Sequence, residues 1–187
     1  VLETGYDIIF FWVARMILMS QYLLGEVPFK TVYLHGLVRD AQGRKMSKSL
    51  GNIIDPLDVS AKYGADAVRM SLVIGTGPGN DSKMSEDKIK AYKNFANKLW
   101  NITRFILSST EDVAYDPTFT NYTDADNVLI EERDEIVRTI TKEMSEYKFY
   151  LAGDKIYQYA WTRLADVIIE DSKTILKPYV CGMGEPW

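Results

Sequence analysis

An α/β segment to about residue 80, followed by an all-α segment, is the fold class this sequence predicts. Three observations carry it. A β-branched, apolar run, "TVYLHGLV" at 31–38, stands between helix-patterned stretches. A glycine- and proline-rich stretch, "GTGPGN" at 75–80, punctuates the chain. After Ser85, apolar residues recur every three or four positions and no further strand signal follows.

The elements follow in order. "VLETGYDI" at 1–8 reads as a short strand or turn leading into a helix over 7–24, with Gly25 as its stop. That helix contains the most apolar stretch of the chain. A membrane span needs about 20 apolar residues, but Arg15 sits mid-segment and Ser20 and Gln21 follow, so a buried helix of a soluble protein is expected. Residues 31–38 read as a buried strand and "DAQG" at 40–43 as a turn. Pro56 suits the first turn of a helix that Gly64 ends, and 65–75 reads as a second helix. Ser85 followed by "EDK" starts a long helix. Its expected buried stripe is Ile89, Tyr92, Ala96, Leu99, Thr103 and Ile106, with Lys90, Asn94, Asn97, Asn101 and Arg104 on another face. A polar loop over 108–123 precedes two helices, 125–147 and 151–177, whose short connection near "EYKFY" favours antiparallel packing. The domains expected are 1–80 and 81–187.

Composition narrows the function classes. The chain is 47% hydrophobic, enough to bury a core, which excludes global disorder. One cysteine, Cys181, excludes a disulfide framework, and with one histidine, His35, a zinc site of Cys and His is excluded and no metal ligands are expected. A reducing, cytoplasmic setting fits. The start, "VLETGYD", has neither an initiator Met nor a basic signal region, which reads as a piece of something longer. Charge is uneven: residues 1–80 hold eight Lys/Arg against seven Asp/Glu, 81–110 six against three, and 111–187 eight against sixteen. A polyanionic partner should therefore meet the first two segments.

The stretch that asks for a function is "GRKMSKSLGN" at 43–52. Arg44, Lys45 and Lys48 crowd three cations between Gly43 and Gly51, in a chain that is acidic overall. Small residues let a backbone approach a polyphosphate, lysines reach phosphate oxygens as point charges, and serine hydroxyls add donors. The GxxxxGK[ST] spacing is absent, so this is not a Walker-type loop. On charge alone, a solvated surface turn is the better explanation of such a loop.

The letters favour a ligand loop. "KMSKS" at 45–49 matches the second signature of class I aminoacyl-tRNA synthetases, and the whole of "YLHGLVRDAQGRKMSKSLGNIIDPLDVSAKYGADAVR" resembles the region around it. "TGYDIIFFW" at 4–12, "GTGPGND" at 75–81 and "NFANKLWNITRFIL" at 94–107 are similar to the valyl branch of that family; 147–173 resembles a later helix of its anticodon-binding bundle. The tail 178–187 resembles nothing recognised.

This resemblance implies the C-terminal half of a Rossmann-type catalytic domain with stem-contact helices, then an antiparallel anticodon-binding bundle. It implies ATP as substrate with Mg2+ bound through ATP, valine, tRNA(Val), the rest of a longer synthetase chain, a monomer, and no membrane. Lys48 takes the principal catalytic role, with Lys45 beside it. Met46, Ser47 and Ser49 complete the loop's ATP contacts, and backbone near His35, Gly36 and Val38 touches adenosine, although His35 reads equally as a packing residue. Tyr6, Asp7, Ile8 and Trp12 match the amino-acid pocket. Ile8 and Trp12 are four residues apart, one α-helical turn, yet taken without the resemblance they are ordinary core residues. Lys90, Lys93 and Arg104 are the expected tRNA contacts. The family's first signature, of the HIGH type, and its editing insertion are not found in these residues, so the chain is expected to be inactive alone. A non-catalytic tRNA-binding module stays open, as does an isoleucyl or leucyl fragment, against which "TGYDIIFFW" argues.

Overall fold

The computed structural model describes residues 1–111 and 116–180. The first half contains two parallel strand pairs, each joined by a helical crossover, the connection parallel neighbours require. β1 (Leu2–Gly5) lies beside β2 (Val32–His35), with Gly5 opposite His35. β3 (Val38–Arg39) lies beside β4 (Ser82–Lys83). Between β1 and β2 the chain forms a 3-10 turn (Tyr6–Ile8), a π-helix (Ile9–Ala14) and α1 (Arg15–Leu24), which Gly25 ends in the left-handed conformation at φ 71°. Between β3 and β4 lie α2 (Pro56–Tyr63) and α3 (Ala65–Val73). Asp55 caps α2 through the Leu57 N–H, and Pro56 sits where its missing N–H costs nothing.

Two sequence expectations need correction here. The apolar helix is not buried: Phe10, Phe11, Leu18, Tyr22, Leu23 and Leu24 are exposed, and Val13 is buried. Apolarity identifies a face that needs a cover, but no described residue provides one. By length and composition Tyr6–Leu24 could cross a membrane. The run 31–38 is not one buried strand but two short ones, separated at Gly36 and Leu37, with Val32–His35 half-buried or exposed. Among the described strands β2 pairs with β1 alone, and the break makes room for residues 79–81, from which the Gly79 N–H reaches the Leu34 carbonyl.

α4 (Glu86–Ser109) starts at Ser85, whose hydroxyl accepts from the Lys88 N–H. The buried positions are Ile89, Phe95, Ile102 and Ser109, whereas Thr103 and Ile106 are exposed. At about 100° per residue, Phe95 and Ile102 share one line while Ile89 lies roughly 120° away. The helix thus packs in two directions, which a single-stripe reading misses. Ile89 joins Val59, Ala67, Val68 and Met84 in a core that Met46, Ile54, Tyr63 and Tyr92 flank. Phe95 meets the rings of Tyr157 (4.6 Å) and Trp161 (6.1 Å). Burying such a ring stabilises by roughly 1.5–3 kcal/mol.

α5 (Asp124–Ser145) opens on a reciprocal cap between Thr123 and Asp126. A turn follows with Tyr147 at φ 60°; then α6 (Phe149–Gln158) continues through a π-helix (Tyr159–Ile169) into α7 (Glu170–Val180). Lys155 pairs with Glu143 near the turn and Arg163 with Glu132 further out, which ties α5 along the returning helix. The α/β part meets this helical part where Tyr33 touches Phe149 (5.6 Å) and Ile74 fills the space a Gly153 side chain would take. Residues 112–115 of the expected polar loop, and 181–187 of the tail, lie outside the described residues.

Candidate functional site

Successive side chains at a strand end point to opposite sides, and Arg39 and Asp40, at the end of β3, accordingly enter two different networks. Asp40 enters the cationic loop. Its side chain is 7% exposed. It accepts from the backbone N–H of Gln42 (3.1 Å) and Arg44 (2.7 Å), from Arg44 Nε (2.8 Å) and from Asn52 Nδ2 (2.8 Å). The Asn52 bond, joined by those of Arg44, outweighs burial and lowers the carboxyl to a pKa of about 2. Asn52 braces the middle of the loop: its Oδ1 accepts from the Ser47 N–H (2.9 Å) and its Nδ2 also donates to the Lys45 carbonyl (3.3 Å).

The remaining loop residues divide by role. The Ser47 hydroxyl accepts from the Leu50 N–H (3.3 Å) at the start of a 3-10 turn, Lys48–Leu50, and lies 3.2 Å from Ser49 Oγ. The Met46 side chain turns inward onto the core, so a ligand would meet its backbone. Gly43 (φ 81°) and Gly51 (φ 60°) supply the left-handed turns at either end. The three cations separate as well. Arg44 is neutralised by Asp40, whereas the Lys45 and Lys48 side chains are exposed and their ammonium groups make no hydrogen bond or ion pair among the described residues. Two unpaired ammonium groups on a braced loop are suited to phosphate oxygens.

Arg39 points the other way, to Asp81. That carboxylate accepts from the Leu37 N–H (2.8 Å), the Tyr6 hydroxyl (2.9 Å) and Arg39 Nε. Leu37 first and Arg39 second hold it below the ordinary carboxylate range, and the same carboxylate raises the Tyr6 hydroxyl. Asp81 therefore joins the end of β1, the β2–β3 break and the start of β4. The Gly79 N–H donates to the Leu34 carbonyl and the Ser82 N–H to the Leu37 carbonyl, each at 2.9 Å. Gly36 permits this approach: a Cβ there would overlap the Asn80 carbonyl and lie 2.6 Å from the Asp81 nitrogen.

At the carboxyl ends of β1 and β2, Asp7 and His35 come together over Gly5. A Cβ on Gly5 would lie 2.7 Å from Asp7 Oδ1 and 3.5 Å from His35 Cε1. His35 is exposed, with Nε2 3.3 Å from the Glu3 carboxylate and Nδ1 2.7 Å from the Gly36 carbonyl oxygen. It stands at the rim and is not packed in the core. Val38 is exposed beyond it. Ile8 and Trp12 are also exposed, and their four-residue step is not an α-helical turn. Ile8 sits at the junction of 3-10 and π-helix with φ −111° and ψ 17°.

On α4, Lys90 is exposed, Lys93 lies 5.9 Å from the Tyr63 ring centre, and Arg104 lines a shallow groove with Trp100, Thr103 and Leu107. The positive excess of 81–110 is only partly outward. Lys98 lies over Trp161 and pairs with Asp166 (2.7 Å), and Lys88 is partly buried, which lowers its pKa. Among the described residues no three His, Cys, Asp or Glu gather to hold a metal. Sequence reasoning missed Asp40, Asn52 and Asp81. The turn signal "DAQG" marked Asp40 only as a turn former, and the pairing partners of Asn52 and Asp81 are distant in sequence.

Comparison with known proteins agrees with this geometry. Residues 1–85 match the family described as tRNA synthetases class I (I, L, M and V). A valine–tRNA ligase from Clostridium acetobutylicum is 46% identical over 186 residues, covering 98% of this chain and 21% of that protein. One from Geobacillus stearothermophilus is 48% identical over 175 residues, covering 92% and 20%. Among solved structures, Mycobacterium tuberculosis methionyl-tRNA synthetase in complex with methionyl-adenylate is similar at TM-score 0.71 and 28% identity, over 98% of this chain and 35% of that one. The Agrobacterium radiobacter K84 LeuRS, in a ternary complex with tRNA and LeuAMS, shares the fold at TM-score 0.74 and 21% identity, over 87% of this chain and 23% of that one. The chain spans about a fifth of the length of the valine–tRNA ligases it matches.

Proposed function

We propose, from the premise that this chain belongs to the class I tRNA synthetase family, that it is the loop-bearing part of a valine–tRNA ligase. The whole protein would join valine to ATP as valyl-adenylate, releasing pyrophosphate, and then transfer the valyl group to tRNA(Val). The observation that carries this reading is the division of cations in the loop: Arg44 is held by Asp40, while Lys45 and Lys48 are unpaired and outward. During adenylate formation negative charge moves onto the leaving pyrophosphate. Cations held in place for that charge stabilise the transition state more than bound ATP. Mg2+ carried on the ATP phosphates would share this charge. The loop is flanked by glycines, which suits closing on ATP and opening for pyrophosphate.

The other site residues take roles consistent with their places. Asp7 and His35, side by side at the strand ends, face the region where open α/β sheets bind ligands; they serve the amino acid and adenosine respectively. Ile8 and Trp12 line the apolar part of the valine pocket, and Lys90, Lys93 and Arg104 contact tRNA. The helices after residue 81 form part of an antiparallel anticodon-binding bundle. The exposed apolar face of Tyr6–Leu24 packs against other parts of the same long polypeptide, which the fivefold greater length of the relatives supports. The working protein is cytoplasmic and monomeric, and the 187-residue chain is inactive by itself.

Amino-acid-dependent ATP–pyrophosphate exchange tests this. The full-length protein carrying this segment should exchange with valine, and with isoleucine, leucine and methionine at least 10-fold less well; the chain alone should not exchange. Preference for another amino acid would refute the valine assignment. Binding of tRNA without any exchange would favour a non-catalytic module.

A further inference from the structure

The loop that carries Lys45 and Lys48 is held from inside by two residues that the proposed reaction does not use. Asp40 reaches both ends of the loop, through Arg44 on one side and Asn52 on the other. Asn52 then spans to the middle and bonds the carbonyl of Lys45 and the N–H of Ser47, either side of Met46. Between them these bonds fix the backbone of the lysine-bearing arc. The inner face of the arc rests on the core through Met46, and its outer face presents the two unpaired lysines.

Resting on the reading above, we infer that Asn52, held by Asp40, is a positioning residue for the reaction: it sets where the Lys45 and Lys48 ammonium groups stand relative to the transferring phosphate. Asn52 touches the Lys45 and Ser47 backbone and the Asp40 carboxylate, and as a neutral amide it has no charge of its own to offer a nucleotide. Its side chain is the sole part of residue 52 needed to satisfy the Ser47 N–H and Lys45 carbonyl. Removing it frees the arc while leaving the core cluster of Val59, Ala67, Val68, Met84 and Ile89 unchanged. A misplacement of about 1 Å in a preorganised group costs as much as 100-fold in rate. The effect belongs in the chemical step, because the lysines meet charge that develops there.

The experiment compares Asn52→Ala and Asn52→Asp with the parent in the full-length protein. Three quantities are read: kcat and the valine KM of ATP–pyrophosphate exchange, the melting temperature, and hydrogen exchange of the amides of 44–52. Asn52→Ala should lower kcat roughly 10- to 100-fold, leave the valine KM within about twofold, keep the melting temperature near the parent's, and speed exchange at the Ser47 amide. Asn52→Asp keeps the size and the Oδ1 acceptor but sets a second carboxylate against Asp40; it should lower kcat at least as far. A kcat within twofold of the parent in Asn52→Ala, or a Ser47 amide no faster in exchange, overturns the positioning role. A parent that exchanges without valine preference instead overturns the functional reading, since that result appears before any substitution is made.

Discussion

Gly36→Ala is the sharpest structural prediction, because a single methyl group would have to occupy space held by backbone. A Cβ at residue 36 overlaps the Asn80 carbonyl and stands 2.6 Å from the Asp81 nitrogen. Neither atom belongs to a flexible side chain, so the 79–82 segment must move off β2. The movement strains the bonds from Gly79 to Leu34 and from Ser82 to Leu37, and the Leu37 N–H bond to Asp81. Three such bonds at about 0.5–1.5 kcal/mol each give roughly 1.5–4.5 kcal/mol, and overpacking alone costs typically about 1–3 kcal/mol. Since displacement relieves part of the clash as it breaks the bonds, about 4 kcal/mol is the expected net cost. For a chain of this size that lowers the melting temperature by roughly 8–16 °C. Gly51→Ala is the control. Its φ of 60° strains any side chain, but nothing lies within 4 Å of a Cβ there, so the cost should be about 1–2 kcal/mol. Thermal unfolding followed by circular dichroism measures both. A Gly36→Ala melt within 2 °C of the parent, or one no worse than Gly51→Ala, would refute the close-approach argument.

Two further outcomes follow from the charge arrangement. The Asp40 carboxyl titrates at about 2 in the folded chain against an ordinary value of 3.8, so its stabilisation is complete above about pH 4 and is lost as pH falls toward 2; melting temperatures between pH 5 and 2 should fall more steeply for the parent than for Asp40→Asn, and parallel curves would contradict this. Reversing Lys90 and Arg104 to Glu should weaken tRNA binding and flatten its salt dependence more than equal charge reversals on α5, measured by filter binding across a salt series; equal weakening would move the tRNA surface elsewhere.

How much of this was legible beforehand depends on the range of the interaction. Helix boundaries set by local chemistry, such as Ser85, Pro56, Gly64 and Gly25, read directly from sequence, because a cap is decided within four residues. The cationic loop was legible as a ligand candidate from "KMSKS". Its bracing was not, since Asp40 and Asn52 lie 12 residues apart and Asp81 reaches back 42 residues to Arg39 and 75 to Tyr6. β4 is two residues long and carries no alternation to detect. The two packing directions of α4 were hidden because Phe95 answers to Tyr157 and Trp161, residues whose place only the tertiary fold decides. The apolar helix over 7–24 was legible as a helix, but its exposure was not: apolarity reports the need for a partner, not which residues supply it.

In the proposed reaction, unpaired lysine charge on a braced loop meets charge growing on the leaving pyrophosphate. Valine-dependent ATP–pyrophosphate exchange by the full-length protein, parent against Lys48→Ala, tests it most directly. Lys48→Ala should lose two to three decades in kcat, roughly the effect of removing one preorganised donor, with the valine KM little changed and with Lys48→Arg only a partial rescue. Exchange by Lys48→Ala within threefold of the parent would contradict it.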